Sequence, residues 1–153
     1  MAEKEIRILL APLTNIYVML PNSVIGEILT YTSPEPFKQG PSWLLGEIAW
    51  HGWQVPVINY ERMLRSSSEM KITSKSRILI IKTLGESTQV NYIGLLIQGL
   101  PRLKKVSMEN LVEKQTQDLP SAVFSEVGID DLQAVIPDLG DLTRIVEMAA
   151  YDS

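Results

Sequence analysis

Residues 43–60 read WLLGEIAWHGWQVPVINY, the segment with the clearest strand and turn signals in the chain. Apolar runs enter and leave the dipeptide His51-Gly52, whose residue types tolerate positive φ, so the stretch predicts a tight β-hairpin with its turn there. A two-residue turn places Trp50 directly opposite Trp53. The stretch contains all three tryptophans and the one histidine of the chain.

Short apolar runs separated by turn residues continue on both sides of this hairpin. They predict further strands at residues 6–11, 16–20, 24–29, 77–82, 90–97, 100–106, 122–129 and 132–136. Many short strands with few helices indicate an all-β barrel or sandwich. The stretch at residues 33–41 is rich in proline and glycine and predicts a loop. The most polar stretch, residues 66–76, predicts a surface loop near the middle of the chain.

Three local signals refine this prediction. Because proline donates no ladder hydrogen bond, Pro56 predicts that its strand lies at a sheet edge or carries a bulge there. Asn59 is placed to cap a short helix that ends at Leu64. A helical stripe of apolar residues, preceded by Asp138 at the N-cap position, predicts a C-terminal helix over residues 139–149.

Composition narrows the class of protein. The chain has 153 residues, 45% of them hydrophobic and 21% charged, as expected for one folded domain. The net charge of −4 argues against nucleic-acid binding. The chain has no cysteine, which excludes disulfides and zinc–thiolate clusters and favours a reducing cytoplasm. We find no signal peptide and no apolar segment of about 18 residues, so we expect a cytoplasmic protein without direct membrane insertion.

The residues do not assemble a catalytic motif. Phosphate-binding loops, nucleophile elbows and calcium loops are not found in the sequence. His51 lies in a predicted turn without a neighbouring serine or acid, so a structural or interfacial role is favoured over a catalytic one. Asp130-Asp131 and the pair Asp138 and Asp141 are interpreted as a turn and a helix cap. We therefore predict no catalytic residue, no metal site and no cofactor.

The tryptophans favour protein binding. Trp43 follows a loop and is expected to anchor it to the core. One of Trp50 and Trp53 can fill the core, but two rings at a hairpin tip are not both expected to be buried, and exposed tryptophan is enriched at binding hot spots. The basic run RLKK at residues 102–105 is interpreted as a solvated face, with an electrostatic contact to an acidic partner as the alternative.

These segments resemble CheW-like chemotaxis adaptor domains, whose signature is roughly Gly-x-Ile-Asn-Leu-Arg-Gly-x-x-x-Pro-Val-x-Asp-Leu. The residues that match in register are Gly46, Ile48, Gly52, Pro56 and Val57. Three further segments are similar to family motifs in the right order: residues 23–28 with Glu27 in the acidic position, residues 90–97 with Gly94, and residues 134–142. The similarity covers nearly the whole chain.

The resemblance implies a single domain over residues 5–150, built from two intertwined subdomains, with the polar loop at residues 66–76 near its middle. Its fold is two small five-stranded β-barrels that share a core, followed by a short C-terminal helix. It implies no enzymatic activity. Such domains bridge the cytoplasmic tips of methyl-accepting chemoreceptors and the regulatory domain of a CheA-type histidine kinase, with receptor helices in the groove between the barrels. They are recruited from the cytoplasm to receptor arrays.

We expect five residues to bind partners. Glu27, His51 and Gly52 follow from the resemblance, and Trp50 and Trp53 follow from the enrichment of tryptophan at binding hot spots. A second set maintains the structural motif: Trp43, Gly46, Ile48, Pro56, Val57 and Gly94.

The chain departs from the family pattern at three of its positions. The arginine that typically pairs with the acid at Glu27 is His51 here, and two family acids are Asn59 and Gln98. These departures fit a divergent, accessory adaptor of a chemosensory system that controls type IV pilus twitching motility (ChpC-like). The alternative function is a small β-barrel that binds a small ligand or single-stranded nucleic acid through aromatic stacking and the basic run. A hydrolase that uses Asp138 or Asp141 ranks last.

Overall fold

A computed structural model of the chain describes residues 5–65, 69–83, 89–107 and 119–151, and the backbone of residues 112–113. The strands in these residues are β1 (Glu5–Pro12), β2 (Tyr17–Pro21), β3 (Ile25–Thr30), β4 (Leu44–Trp50), β5 (Trp53–Ile58), β6 (Arg77–Lys82), β7 (Tyr92–Ile97), β8 (Arg102–Ser107), β9 (Val112–Glu113), β10 (Val123–Ile129) and β11 (Leu132–Pro137). The helices are a 3₁₀ turn (Asn22–Val24), α1 (Tyr60–Leu64) and α2 (Leu139–Ala150).

The strands form two sheets. The first has the order β8-β1-β2-β11-β10-β9, and the second has the order β3-β6-β7-β5-β4. Within the sheets, β2 pairs with β11 and β5 with β7 in parallel, and the other pairs are antiparallel. The predicted all-β architecture with a short C-terminal helix is confirmed. The first sheet has six strands rather than five because the two-residue β9 adds to β10.

Backbone pairing does not close either sheet into a barrel within the described residues. The two edge strands of the second sheet, β3 and β4, are nevertheless in contact through side chains. The indole of Trp50 on β4 donates a hydrogen bond to Glu27 on β3 over 2.9 Å. The second sheet therefore curls far enough for a side chain of one edge strand to reach the other edge strand.

The hairpin forms where the sequence places it. His51 has φ 48° and Gly52 has φ 82°, and Trp50 lies opposite Trp53 in the register of β4 and β5. The prediction that Pro56 marks an edge strand is wrong, because β5 lies between β4 and β7.

An interior strand tolerates this proline for a reason visible in the pairing. The partner strand β7 pairs with β5 only at Val57 and Ile58, so no ladder bond from Pro56 to β7 is lost. The bulge expected at Pro56 lies instead in β4, between Leu44 and Gly46.

Gly46 brings the loop at residues 33–41 onto β4. Its φ is +144°, and a Cβ atom at this position would lie 2.3 Å from the carbonyl oxygen of Glu35. The close approach allows two backbone hydrogen bonds between Glu35 and Glu47, of 3.0 Å and 2.9 Å. Apart from this isolated bridge between Glu35 and Glu47, the loop is irregular, as predicted.

The largest core combines residues of both sheets and of α2. Leu9 and Leu20 come from the first sheet, Leu79 and Leu95 from the second, and Leu142 from α2. Two smaller clusters fill the interior of each sheet separately. The apolar stripe predicted for the C-terminal helix is therefore its buried face. The shared core joins the two sheets.

The predicted caps and turns are confirmed. Asn59 Oδ1 accepts a hydrogen bond from the backbone N–H of Arg62 over 3.0 Å at the start of α1. Asp130 and Asp131, with φ 47° and 65°, form the turn between β10 and β11. Residues 66–68 of the predicted polar loop lie outside the described residues, and residues 69–76 contain no strand or helix. No helix in the described parts of the chain is long and apolar enough to cross a membrane.

Candidate partner-binding site

The tip of the central hairpin assembles a surface cluster, which we call the hairpin site. It consists of Glu27 from β3, Trp50, His51 and Trp53 from the β4–β5 hairpin, and Tyr92 from β7. These strands all belong to the second sheet, whose curling brings its two edges to the same place.

Glu27 is the polar centre of the hairpin site. Its Oε1 atom accepts the 2.9 Å hydrogen bond from Trp50 Nε1 and lies 3.3 Å from His51 Nε2. The pairing of Glu27 with His51 that the resemblance implies is therefore present. The hydrogen bond from Trp50 was not anticipated, because nothing in the local sequence shows that the sheet curls far enough to bring Trp50 onto β3.

The electrostatics keep this carboxylate charged. The hydrogen bond from Trp50 is the main cause that lowers the pKa of Glu27 below its ordinary value, and His51 adds a smaller contribution in the same direction. The side chains of His51 and Glu27 are 69% and 46% exposed. The hairpin site thus presents a fixed negative charge to solvent, oriented by an indole N–H.

The two hairpin tryptophans divide their roles. Trp50 is half-buried and packs against the small core of the second sheet, formed by buried residues that include Val55 and Ile78. Trp53 is 43% exposed. Their rings lie 4.9 Å and 5.4 Å from the ring of Tyr92, with edge-to-face geometry. Such pairs stabilise beyond simple burial, so the exposed ring of Trp53 is held in a defined orientation.

Sequence reasoning did not place Tyr92 in the site. The residue reaches the hairpin through the parallel pairing of β5 with β7, which joins segments far apart in the chain. The apolar pattern of residues 90–97 predicts the strand but not its neighbour. Tyr92 is therefore the member of the hairpin site that only the tertiary structure could supply.

The motif glycine of β7 supports this pairing by its small size. A Cβ atom on Gly94 would lie 2.9 Å from Ile78 Cγ2 and 3.2 Å from Val57 Cγ2. Val57 is fully buried, and Ile48 packs partly buried against the same small core.

Trp43 lies at the end of the hairpin away from the turn. It packs against the shared core, and its carbonyl oxygen accepts a hydrogen bond from the N–H of Asn59 over 2.8 Å.

The other two departures from the family pattern are not in the hairpin site. Asn59 serves as the cap of α1. Gln98 accepts a hydrogen bond from Ser76 Oγ over 3.0 Å and donates one to the carbonyl oxygen of Lys71 over 2.7 Å. Both amide side chains therefore make structural hydrogen bonds just after a strand: Asn59 after β5, and Gln98 after β7.

The acids at the start of α2 are occupied by structural contacts. Asp138 accepts a hydrogen bond from the N–H of Asp141, and Asp141 accepts one from the N–H of Ala122 over 2.7 Å and pairs with Arg144. The bond from Ala122 and then the contact with Arg144 lower the pKa of Asp141. These are the contacts of a helix cap. Among the described residues, no group of three or more His, Cys, Asp or Glu side chains is placed to hold a metal ion.

Comparisons with known proteins agree with this architecture. The CheW-like domain matches residues 7–147. Among solved structures, the scaffolding protein TtCheW from Thermoanaerobacter tengcongensis superposes with a TM-score of 0.74 at 18% sequence identity, over 90% of this chain and 91% of that one. No curated protein sequence matches the chain. The family match spans most of the chain, and the chain is therefore a member of the CheW-like domain family.

Proposed function

We propose that the protein is a non-enzymatic scaffold adaptor of a bacterial chemosensory system, which bridges chemoreceptor tips and the regulatory domain of a CheA-type histidine kinase. Membership of the CheW-like domain family supports this role, and the structurally similar TtCheW is described as a scaffolding protein. The observation that carries the proposal is the hairpin site. It is an exposed surface that combines a large aromatic ring with a hydrogen-bonded carboxylate.

The site has the chemistry of a protein-binding hot spot. Trp53 exposes 43% of its surface at the tip of the β4–β5 hairpin, and Trp, Tyr and Arg dominate the binding energy of interfaces. The carboxylate of Glu27 belongs to the same site, since Trp50 contacts both Glu27 and Tyr92, and the Tyr92 ring packs against Trp53. This carboxylate favours a partner with a cation near an apolar surface. A receptor helix with an apolar stripe and a flanking lysine or arginine satisfies both requirements.

This chain has His51 at the position where the family typically has an arginine. Histidine is shorter than arginine and does not offer its two-pronged hydrogen bonding. In this chain, Trp50 takes over the role of orienting Glu27, because its hydrogen bond is shorter than the contact of His51. We propose that this rearrangement adapts the protein to its own receptor and kinase, as an accessory adaptor in the control of type IV pilus twitching. It would act in the cytoplasm and be recruited to receptor arrays.

The experiment that tests the proposal is affinity capture from the native cell with the tagged full-length protein, quantified by mass spectrometry. We expect enrichment of a CheA-type kinase or a chemoreceptor. The variant Trp53→Ala should reduce this recovery at least about tenfold, as for a hot-spot residue. The matched control is Phe124→Ala, since Phe124 is also an exposed aromatic residue, at 66%, but lies on the first sheet.

The possible outcomes distinguish an error in the proposed adaptor role from an error in the location of the binding site. Equal recovery by both variants and the wild type would show that the partners bind elsewhere. If neither partner is enriched by the wild type, the adaptor role is wrong even though the family assignment stands. Far-UV circular dichroism of both variants verifies that each is folded.

A further inference from the structure

Among the described residues, β8 is an edge strand of the first sheet. It pairs with β1 from Glu5↔Ser107 to Leu10↔Arg102, and the described residues provide no strand on its other side. An edge strand presents unpaired N–H and C=O groups along that side. The six residues of β8 therefore offer a backbone template to another strand.

Positive charge is concentrated at this edge, although the protein as a whole has a net charge of −4. Arg7 on β1 lies directly opposite Lys105 on β8, and like charges in this arrangement repel. Lys104 forms an ion pair with Asp130. Among the described residues, no carboxylate lies within 4.0 Å of the charged groups of Arg7 and Lys105. An anionic partner would relieve their repulsion.

Apolar surface accompanies these cations. Leu103 is 66% exposed and lies two residues from Lys105, so it shares the same face of β8. A depression of about 250 Å³ is lined by Arg7, Asn22, Leu103, Lys104 and Lys105. Lysines alone on an edge strand are a common protection against aggregation. Protection against aggregation explains neither the exposed Leu103 nor the additional cation Arg7 on β1.

From this combination we infer that β8 binds an acidic, extended segment of a partner protein, which adds to the first sheet as a further strand. Backbone hydrogen bonds to the open edge would supply affinity, as in other complexes formed by strand addition. Carboxylates of the segment would lie against Arg7 and Lys105, and an apolar residue two positions along would cover Leu103. This surface lies on the other sheet from the hairpin site, and the inference does not rest on the adaptor role.

The test uses the full-length protein and a blocked six-residue peptide of alternating glutamate and valine. Binding is followed by NMR through the amide resonances of β8. We expect shifts confined to β8 and its surroundings. Lys105→Glu should weaken binding roughly tenfold, since it replaces an attractive charge contact by a repulsive one. The matched control Lys75→Glu reverses an exposed charge in the loop before β6 and should leave binding unchanged.

Two further probes discriminate strand addition from simple charge attraction. The same peptide N-methylated at every residue lacks all of its backbone donors and should lose binding. The inference is overturned if the methylated peptide binds equally well, or if the unmodified peptide does not shift β8 at all. Binding to phosphatidylserine vesicles or oligothymidylate in place of the peptide would overturn it in favour of a membrane or a nucleic acid.

Discussion

The substitution Gly46→Ala tests the packing of the central hairpin against the loop at residues 33–41. A methyl group at this position would approach the carbonyl oxygen of Glu35 to 2.3 Å, at a φ of +144° that residues with a side chain rarely adopt. Backbone strain of this kind costs about 1–3 kcal/mol. Relieving the clash breaks the two backbone hydrogen bonds between Glu35 and Glu47, each worth about 1 kcal/mol. The total loss of stability is therefore about 3–5 kcal/mol.

Gly52→Ala is the matched control for this effect. Gly52 also has a positive φ, of +82°, but a Cβ atom there would meet no atom within 4 Å. Only the conformational penalty remains, and we expect a loss of about 1–2 kcal/mol. Urea unfolding monitored by far-UV circular dichroism gives both free energies. Equal losses of stability for Gly46→Ala and Gly52→Ala would show that the close approach of Glu35 contributes nothing to the cost at Gly46.

Three further substitutions test contacts elsewhere in the fold. Tyr151→Phe should lower the free energy of unfolding by about 1 kcal/mol, since it removes the 3.1 Å hydrogen bond to Glu47. Burial raises the pKa of Tyr151 from 10.0 to about 12. The extra free energy of unfolding of the wild type over Tyr151→Phe should therefore disappear as the pH rises from 10 to about 12. Absorbance titration of tyrosinate measures this ionisation. The pKa of Glu27 is lowered from 4.5, so its stabilisation is complete above pH 4.5 and disappears as the pH falls through the lowered value. Glu27→Gln should therefore flatten the acid limb of the urea midpoint against pH, and an unchanged limb would contradict the contact with Trp50. Asp141→Ala should destabilise by about 1–2 kcal/mol in the same urea assay, because the Ala122 N–H loses its acceptor.

The local features of the fold were predictable because they depend on neighbours in sequence. Positive φ at His51 and Gly52 follows from residue type, and so does the capping by Asn59 and Asp138. The buried stripe of α2 follows from its periodicity.

Features that depend on distant strand pairing were not predictable in this way. Pro56 indicates an edge strand when read locally, but the short parallel pairing of β5 with β7 makes β5 an interior strand. The closure of the second sheet through Trp50 and Glu27 depends on how far five strands curl, a property of the whole sheet. Tyr92 enters the hairpin site for the same reason. The contact between Glu27 and His51 was anticipated only through the family resemblance, because the residues themselves carry no signal of that pairing.

Retention of the kinase on an immobilised receptor shows whether the protein connects the receptor to the kinase. The receptor fragment and the kinase are those recovered by affinity capture, and kinase retention is measured with and without this protein. We predict that the kinase is retained only when the protein is present, and that Trp53→Ala abolishes most of the retention while Phe124→Ala does not. Equal retention with and without the protein would contradict the bridging role.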